Sequence, residues 1–105
     1  MDRKNEMIIT VGENVYPREV EELLLSHPSV AECAVVGKPD AYWGEAIHAF
    51  VVAKSGQAVT GPDLTAFCRA ALAPYKIPKG VHFVDALPRN SMGKILRRSL
   101  RDTPA

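Results

Sequence analysis

The chain has 105 residues and a mass of 11.5 kDa, enough for one domain with a modest core and too little for a cleft enzyme holding two substrates. Thirteen basic against twelve acidic side chains give a net charge of +1, so no global field steers it toward nucleic acid or an anionic membrane. The charge is uneven all the same, with Glu13, Glu19, Glu21 and Glu22 in the first quarter and Arg89, Lys94, Arg97, Arg98 and Arg101 in the last. No apolar run reaches the ~18 residues of a membrane span, and the charged start at Asp2, Arg3, Lys4 and Glu6 is unlike a secretory signal. Cys33 and Cys68 lie far apart without metal-ligand spacing, and read as buried thiols of a cytoplasmic protein. His27, His48 and His82 form no ligand cluster and read as structural or surface residues.

In chain order, Met7 to Ile9 and Gly12 to Tyr16 read as two short extended pieces around a turn, a small hairpin. Pro17 suits the first position of a helix, with Glu19, Glu21 and Glu22 in its dipole-favoured first turns and Val20, Leu23 and Leu24 on one apolar face. His27-Pro28 ends it. Val30 to Val36 reads as a strand that Gly37-Lys38-Pro39-Asp40 terminates as a turn. Ala46 to Ala53 is apolar enough for a central strand covered on both faces. The loop between them holds Trp43, which can be packing material or a stacking surface.

Thr60-Gly61-Pro62-Asp63 has the form of a capping box, and Leu64, Phe67, Ala71 and Leu72 follow at helical spacing until Pro74. Tyr75 to Lys79 is a loop that Pro78 keeps from being helical, and Val81 to Val84 is a third strand. Leu87 to Lys94 is a proline-led loop delivering Lys94 at the mouth of a short helix, with Gly93 keeping side-chain bulk away. Ile95, Leu96 and Leu100 give that helix an apolar side and leave Arg97, Arg98 and Arg101 outward. The order hairpin, helix, strand, strand, helix, strand, loop, helix describes an α+β fold: a small three-stranded sheet with helices packed on it, plus an N-terminal β-hairpin. The division by residues is a segment 1–6, a domain 7–101 and a frayed tail 102–105.

No Ser/His/Asp or Cys/His spacing, phosphate-cradling glycine loop or paired His ligands point to a self-contained reaction. The chemistry-bearing residues sit instead in four loops, at 2–17, 38–45, 74–79 and 87–94. Six motifs occur in order: Asp2 to Ile9, Gly12 to Pro17, Gly37 to Asp40, Trp43-Gly44-Glu45, Tyr75 to Lys79, and Pro88-Arg89-Asn90 with Gly93-Lys94. With these the chain, from about residue 2 to residue 101, resembles the C-terminal domain of adenylate-forming enzymes. That family comprises the acyl-CoA synthetases and their relatives, the luciferases and nonribosomal peptide adenylation domains.

The resemblance implies a function as the mobile lid of a carboxylate-CoA ligase, such as a fatty-acid or other acyl-CoA synthetase, using ATP with Mg2+ and coenzyme A. Lys94 would be the catalytic lysine, bridging the substrate carboxylate and the α-phosphate, a role suited to a compact ammonium on a long stem. Arg3 would lie near the nucleotide, and Lys4-Asn5 would be the hinge about which the domain rotates. After rotation Gly12 and Glu13 would line the thiol passage, while Trp43, Tyr75 and Lys79 would contact coenzyme A. Val11, where the family commonly has a glycine, could narrow that passage, and Asn5 replaces a frequent hinge aspartate. The N-terminal domain with the ATP phosphate loop, the ribose-binding acid and the acyl pocket is absent from these residues. The resemblance therefore makes the chain a piece of a larger synthetase, inactive in adenylation by itself. Lysine at the matching Gly-Lys position is acetylated in some members, which would remove the α-phosphate contact. Two other functions compete: a stand-alone CoA- or protein-binding regulatory module, and nucleic-acid binding through Arg89, Arg97, Arg98 and Arg101. The second is disfavoured by the near-neutral charge and by the lack of an interleaved aromatic.

Overall fold

The computed structural model describes residues 7–56 and 58–102. Strands β1 (Ile8–Thr10) and β2 (Glu13–Val15) form the expected hairpin, followed by helix α1 (Pro17–Leu25), strands β3 (Val30–Asp40) and β4 (Gly44–Ala53), and helix α2 (Gly61–Arg69). A single 3-10 turn (Pro74–Lys76), strand β5 (Gly80–Phe83) and helix α3 (Arg97–Asp102) complete it. The α+β class holds, but the hairpin is not separate from the sheet. Thr10 pairs with Gly44, the Ile9 N-H donates to Glu45 Oε1 at 2.8 Å, and five strands make one sheet around β4.

The long β3–β4 ribbon is the frame. Its side chains alternate, so Cys33, Val35, Ile47, Ala49 and Val51 join Val20, Leu24, Leu64 and Cys68 in a core beneath α1 and α2. Ala34, Val36 and Phe50 face the other way, onto Leu87 and Leu100. The ribbon is thus covered on both faces, as the apolar run in β4 requires. Cys33 and Cys68 are buried free thiols, and burial, with the Glu21 charge adding to it, pushes the Cys33 thiol up to about 12.

Two boundaries differ from expectation for identifiable reasons. Gly37 to Asp40 does not turn: β3 continues, with Gly37 opposite Ile47 and Pro39 opposite Glu45. Val35 turns its N-H away from β4, to Glu21 Oε2 at 2.8 Å, and the two-residue period puts Pro39 on that same open edge, where a missing N-H costs no ladder bond. The reversal comes at Ala41–Trp43, where Asp40 accepts the N-H groups of Tyr42 (2.8 Å) and Trp43 (2.9 Å). Those two bonds also hold its carboxyl below the usual range. Helix α2 stops at Arg69 rather than running to Leu72. Its reciprocal Thr60–Asp63 capping box is present, and its buried face is Leu64 and Cys68, while Phe67 packs edge-on against His27 with ring centres 4.8 Å apart.

Strand β5 pairs parallel to β4, with His48 opposite Gly80 and Val51 opposite Phe83, so β4, α2 and β5 form a crossover unit. The pairing brings together two residues read as unrelated. His48 Nδ1 and His82 Nε2 lie 2.9 Å apart with their rings parallel, and burial holds both imidazoles below their ordinary pKa.

Candidate functional site

The Lys94 loop is a miniature hairpin rather than the mouth of a helix. Arg89 and Ile95 form a bridge, the Leu96 N-H donates to Pro88 O at 2.8 Å, and the Asn90 N-H donates to Lys94 O at 2.9 Å. Its turn closes with the Gly93 N-H on Asn90 O at 2.9 Å, and Gly93 takes φ +84°. A Cβ on Gly93 would meet no atom within 4 Å, so glycine is needed there for its left-handed backbone, not for clearance within this domain. Helix α3 begins only at Arg97 and spans six residues, which moves the helix terminus away from Lys94. Ile95 turns toward the Leu87–Leu100 cluster, and strand alternation sends Lys94 to the opposite, exposed side.

Beyond the loop, Arg97 is not outward as its helical position suggested. Its guanidinium pairs with Glu21, the two side chains being 17% and 11% exposed. Glu21 is therefore a buried carboxylate closing the open edge of β3, not a solvated residue of a first helical turn. Arg89 pairs with Glu32 at 3.0 Å. Two of the four arginines proposed for nucleic acid thus already have carboxylate partners.

The remaining candidates collect elsewhere. The β1–β2 turn is Val11-Gly12, both with positive φ (45° and 79°), as a two-residue hairpin turn demands. Its tip is tied to the β3–β4 turn by the Val11 N-H on Trp43 O at 2.8 Å. The Lys79 ammonium lies 4.2 Å from the centre of the Trp43 ring and donates to Ile77 O at 3.2 Å. Burial holds Lys79 below the ordinary lysine pKa. Ile9, Val11 and Tyr42 are exposed around this group. Gly12, Glu13, Trp43 and Lys79 are therefore gathered at one end of the sheet, flanked by an open groove of about 430 Å³ lined by Gly61, Pro62, Thr65, Arg69, Lys79 and Val81. Tyr75 lies in the 3-10 turn, partly buried against the main core, with the Lys76 ammonium 5.8 Å from its ring centre. Arg3, Lys4 and Asn5 fall outside the described residues.

The two groups are separated along one strand. Arg89 fixes the Lys94 loop at Glu32, near the start of β3, whereas Trp43 follows Asp40 at its end. From position 32 to position 40, at about 3.3 Å per residue, the anchoring points are ~26 Å apart. Among the described residues no three His, Cys, Asp or Glu side chains gather as metal ligands, and no helix is long and apolar enough to cross a membrane.

Residues 19–94 match the AMP-binding enzyme C-terminal domain family. The chain belongs to that family. It is 54% identical over 101 residues to the fatty acid–[acyl-carrier-protein] ligase ScoC of Streptomyces coeruleorubidus, covering 96% of this chain and 20% of that one. Identity to the 2-succinylbenzoate–CoA ligase of Bacillus cytotoxicus is also 54%, over 96% of this chain and 21% of that protein. Among solved structures, ATP-bound MatB from Rhodopseudomonas palustris superposes with a TM-score of 0.92 at 40% identity, over 94% of this chain and 20% of that one. The o-succinylbenzoate CoA synthetase MenE of Bacillus subtilis, in complex with its acyl-adenylate intermediate, gives 0.89 at 47% identity, over 98% and 21%. This domain thus spans about a fifth of the relatives it matches, and none of those named here is a stand-alone binding module.

Proposed function

We propose that this domain is the mobile C-terminal lid of a carboxylate-CoA ligase, serving two successive half-reactions from two different surfaces. The observation that carries this is the placement of the Lys94 hairpin and the Val11–Trp43–Lys79 cluster toward opposite ends of the β3–β4 ribbon, whose positions 32 and 40 lie ~26 Å apart along the strand. A rigid domain of that size presents one end or the other to a given point, so serving both steps at one centre requires rotation. That motion would turn about Lys4-Asn5 at the junction with an N-terminal adenylation domain, residues 7–101 forming the moving body.

In the first step Lys94 would place its ammonium between the carboxylate of the acid and the α-phosphate of ATP. It offsets charge that grows as the carboxylate oxygen attacks phosphorus and pyrophosphate departs. Arg3 would assist at the nucleotide, and Mg2+ would enter on the ATP phosphates. In the second step the opposite end faces the adenylate. Gly12 and Glu13 border the route of the thiol, while Trp43 and Tyr75 offer flat rings to the adenine of coenzyme A and Lys79 offers a cation to its phosphate. The thiol sulfur then attacks the acyl carbon and AMP leaves. Relatives named for fatty-acid and 2-succinylbenzoate ligation share a carboxylic acid substrate, and we extend only that class to this protein. A supply of soluble ATP and coenzyme A supports a cytoplasmic setting for the reaction.

The test is Lys94→Ala in the complete synthetase. ATP–pyrophosphate exchange should fall by at least ~100-fold, the scale of a lost electrostatic contact to a transition state. Unchanged exchange would remove Lys94 from the first step.

A further inference from the structure

The peptide between Gly93 and Lys94 is held at both of its polar atoms. Its carbonyl oxygen accepts from Arg89 Nη1 at 2.8 Å, and its N-H donates to Asn90 Oδ1 at 3.0 Å. The second arm of the same guanidinium reaches Glu32 Oε1 on β3 at 3.0 Å, so the peptide is referenced to the sheet as well as to its own loop. Glycine at 93 resists rotation of this peptide little by itself, because it populates both halves of φ space at little cost, so the bonds from Asn90 and Arg89 set its orientation. A rigid fork that bonds a carboxylate and a carbonyl together is a property of Arg that Lys does not share.

Stability alone does not account for the arrangement. Arg89 and Glu32 are 41% and 48% exposed, a setting in which ion pairs contribute little to folding. The buried fastening of this region is a different pair, Arg97 with Glu21. What the Arg89 fork does fix is the rotation of the Gly93–Lys94 peptide, and hence the direction in which the Lys94 Cα–Cβ bond leaves the chain. The ammonium stands at the end of a four-carbon stem. A small rotation at the root displaces it by a distance comparable to a hydrogen bond.

We propose that Arg89, held by Glu32, is a positioning residue for Lys94, setting the direction of the lysine without touching substrate. This rests on the assignment of Lys94 to the adenylation step. In the complete synthetase Arg89→Ala should lower kcat for ATP–pyrophosphate exchange about 10- to 100-fold, the range seen when supporting groups are lost or a reacting group is displaced by about an ångström. The KM for ATP should move less than about twofold, and thioester formation from supplied acyl-adenylate should be unaffected. Arg89→Lys should recover little, since an ammonium cannot span both acceptors, and Glu32→Gln should lie between the native protein and Arg89→Ala. With Lys94→Ala already present, Arg89→Ala should cause no further loss. If Lys94→Ala suppresses exchange but Arg89→Ala does not, the positioning role is wrong and the assignment of Lys94 stands. A fall in both half-reactions together with the melting temperature would mean a structural role and would overturn the proposal. If Lys94→Ala itself leaves exchange intact, the assignment fails and the positioning role fails with it.

Discussion

Replacing Glu21 by Ala should destabilise this fold strongly. The Glu21 carboxylate bridges two groups: its Oε2 accepts the Val35 N-H at 2.8 Å and pairs with the Arg97 guanidinium. Removing it strands a buried backbone donor, costing about 1–3 kcal/mol. Arg97 also loses its buried carboxylate partner, and breaking such a pair from one side costs about 3–5 kcal/mol in all. Against a total stability on the order of 5–15 kcal/mol, a loss of ~4 kcal/mol would lower the melting temperature by roughly 15–30 °C for a domain of this size. Urea denaturation of the native chain and of Glu21→Ala measures the difference directly. The double change Glu21→Leu with Arg97→Met removes both charges and refills the space. It should leave only the orphaned Val35 N-H, a deficit of about 1–3 kcal/mol. A loss below ~1 kcal/mol in Glu21→Ala would show that the pair behaves as a solvated surface contact, and the account of β3 edge closure would fail.

Two further outcomes follow from strain and titration. Val11 is a β-branched residue at φ 45°, a conformation costing about 1–3 kcal/mol, whereas glycine there gives back roughly 0.4–1 kcal/mol through the freer unfolded chain. Val11→Gly should therefore raise the melting temperature by several degrees, and a fall would mean that the side chain makes contacts worth more than its strain. His48 and His82 have folded-state pKa values below the ordinary 6.5, mainly through burial, so the unfolded chain binds more protons as pH falls. Stability supplied by the neutral pair is complete above about pH 6.5 and declines below it. Asp40 and Asp63, held below 3.8, titrate outside that window. Denaturation midpoints between pH 7.5 and 5.5 should slope downward in the native chain and flatten in His82→Phe. Equal slopes in the two proteins would refute this.

Much of the frame was legible because each element carries local physics in its own letters. The Thr60–Asp63 box, Pro17 at a helix start and the near-continuous apolar run of 46–53 each depend on neighbours within a few positions. Misreadings came where distant residues decided the outcome. Gly37-Lys38-Pro39-Asp40 has the composition of a turn, but Pro39 is tolerated in a strand because it lies on an open edge, which becomes known only once β4 is paired. Arg97 read as outward by helical position, and Glu21 as a dipole-favoured residue of the first turns of a helix. They are 76 positions apart, and they meet only because α1 and α3, on opposite faces of the sheet, both reach the open edge of β3. The His48–His82 contact likewise depends on a parallel pairing that no local pattern announces. Of the candidate site residues, Gly12, Trp43 and Lys79 were each visible as loop residues with useful chemistry, but their convergence at one end of the sheet was not. The part played by Arg89 had no sequence signal beyond its nearness to Lys94.

The central claim is that one domain serves two chemical steps from opposite ends of a single ribbon. Lys94→Ala and Trp43→Ala in the complete synthetase, each assayed for ATP–pyrophosphate exchange and for thioester formation from supplied acyl-adenylate, test it most directly. The account predicts a crossed pattern: Lys94→Ala loses exchange and keeps thioester formation, while Trp43→Ala keeps exchange and requires more coenzyme A to form the thioester. If both substitutions impair the same half-reaction, the two ends serve one step and the rotating-lid account is contradicted.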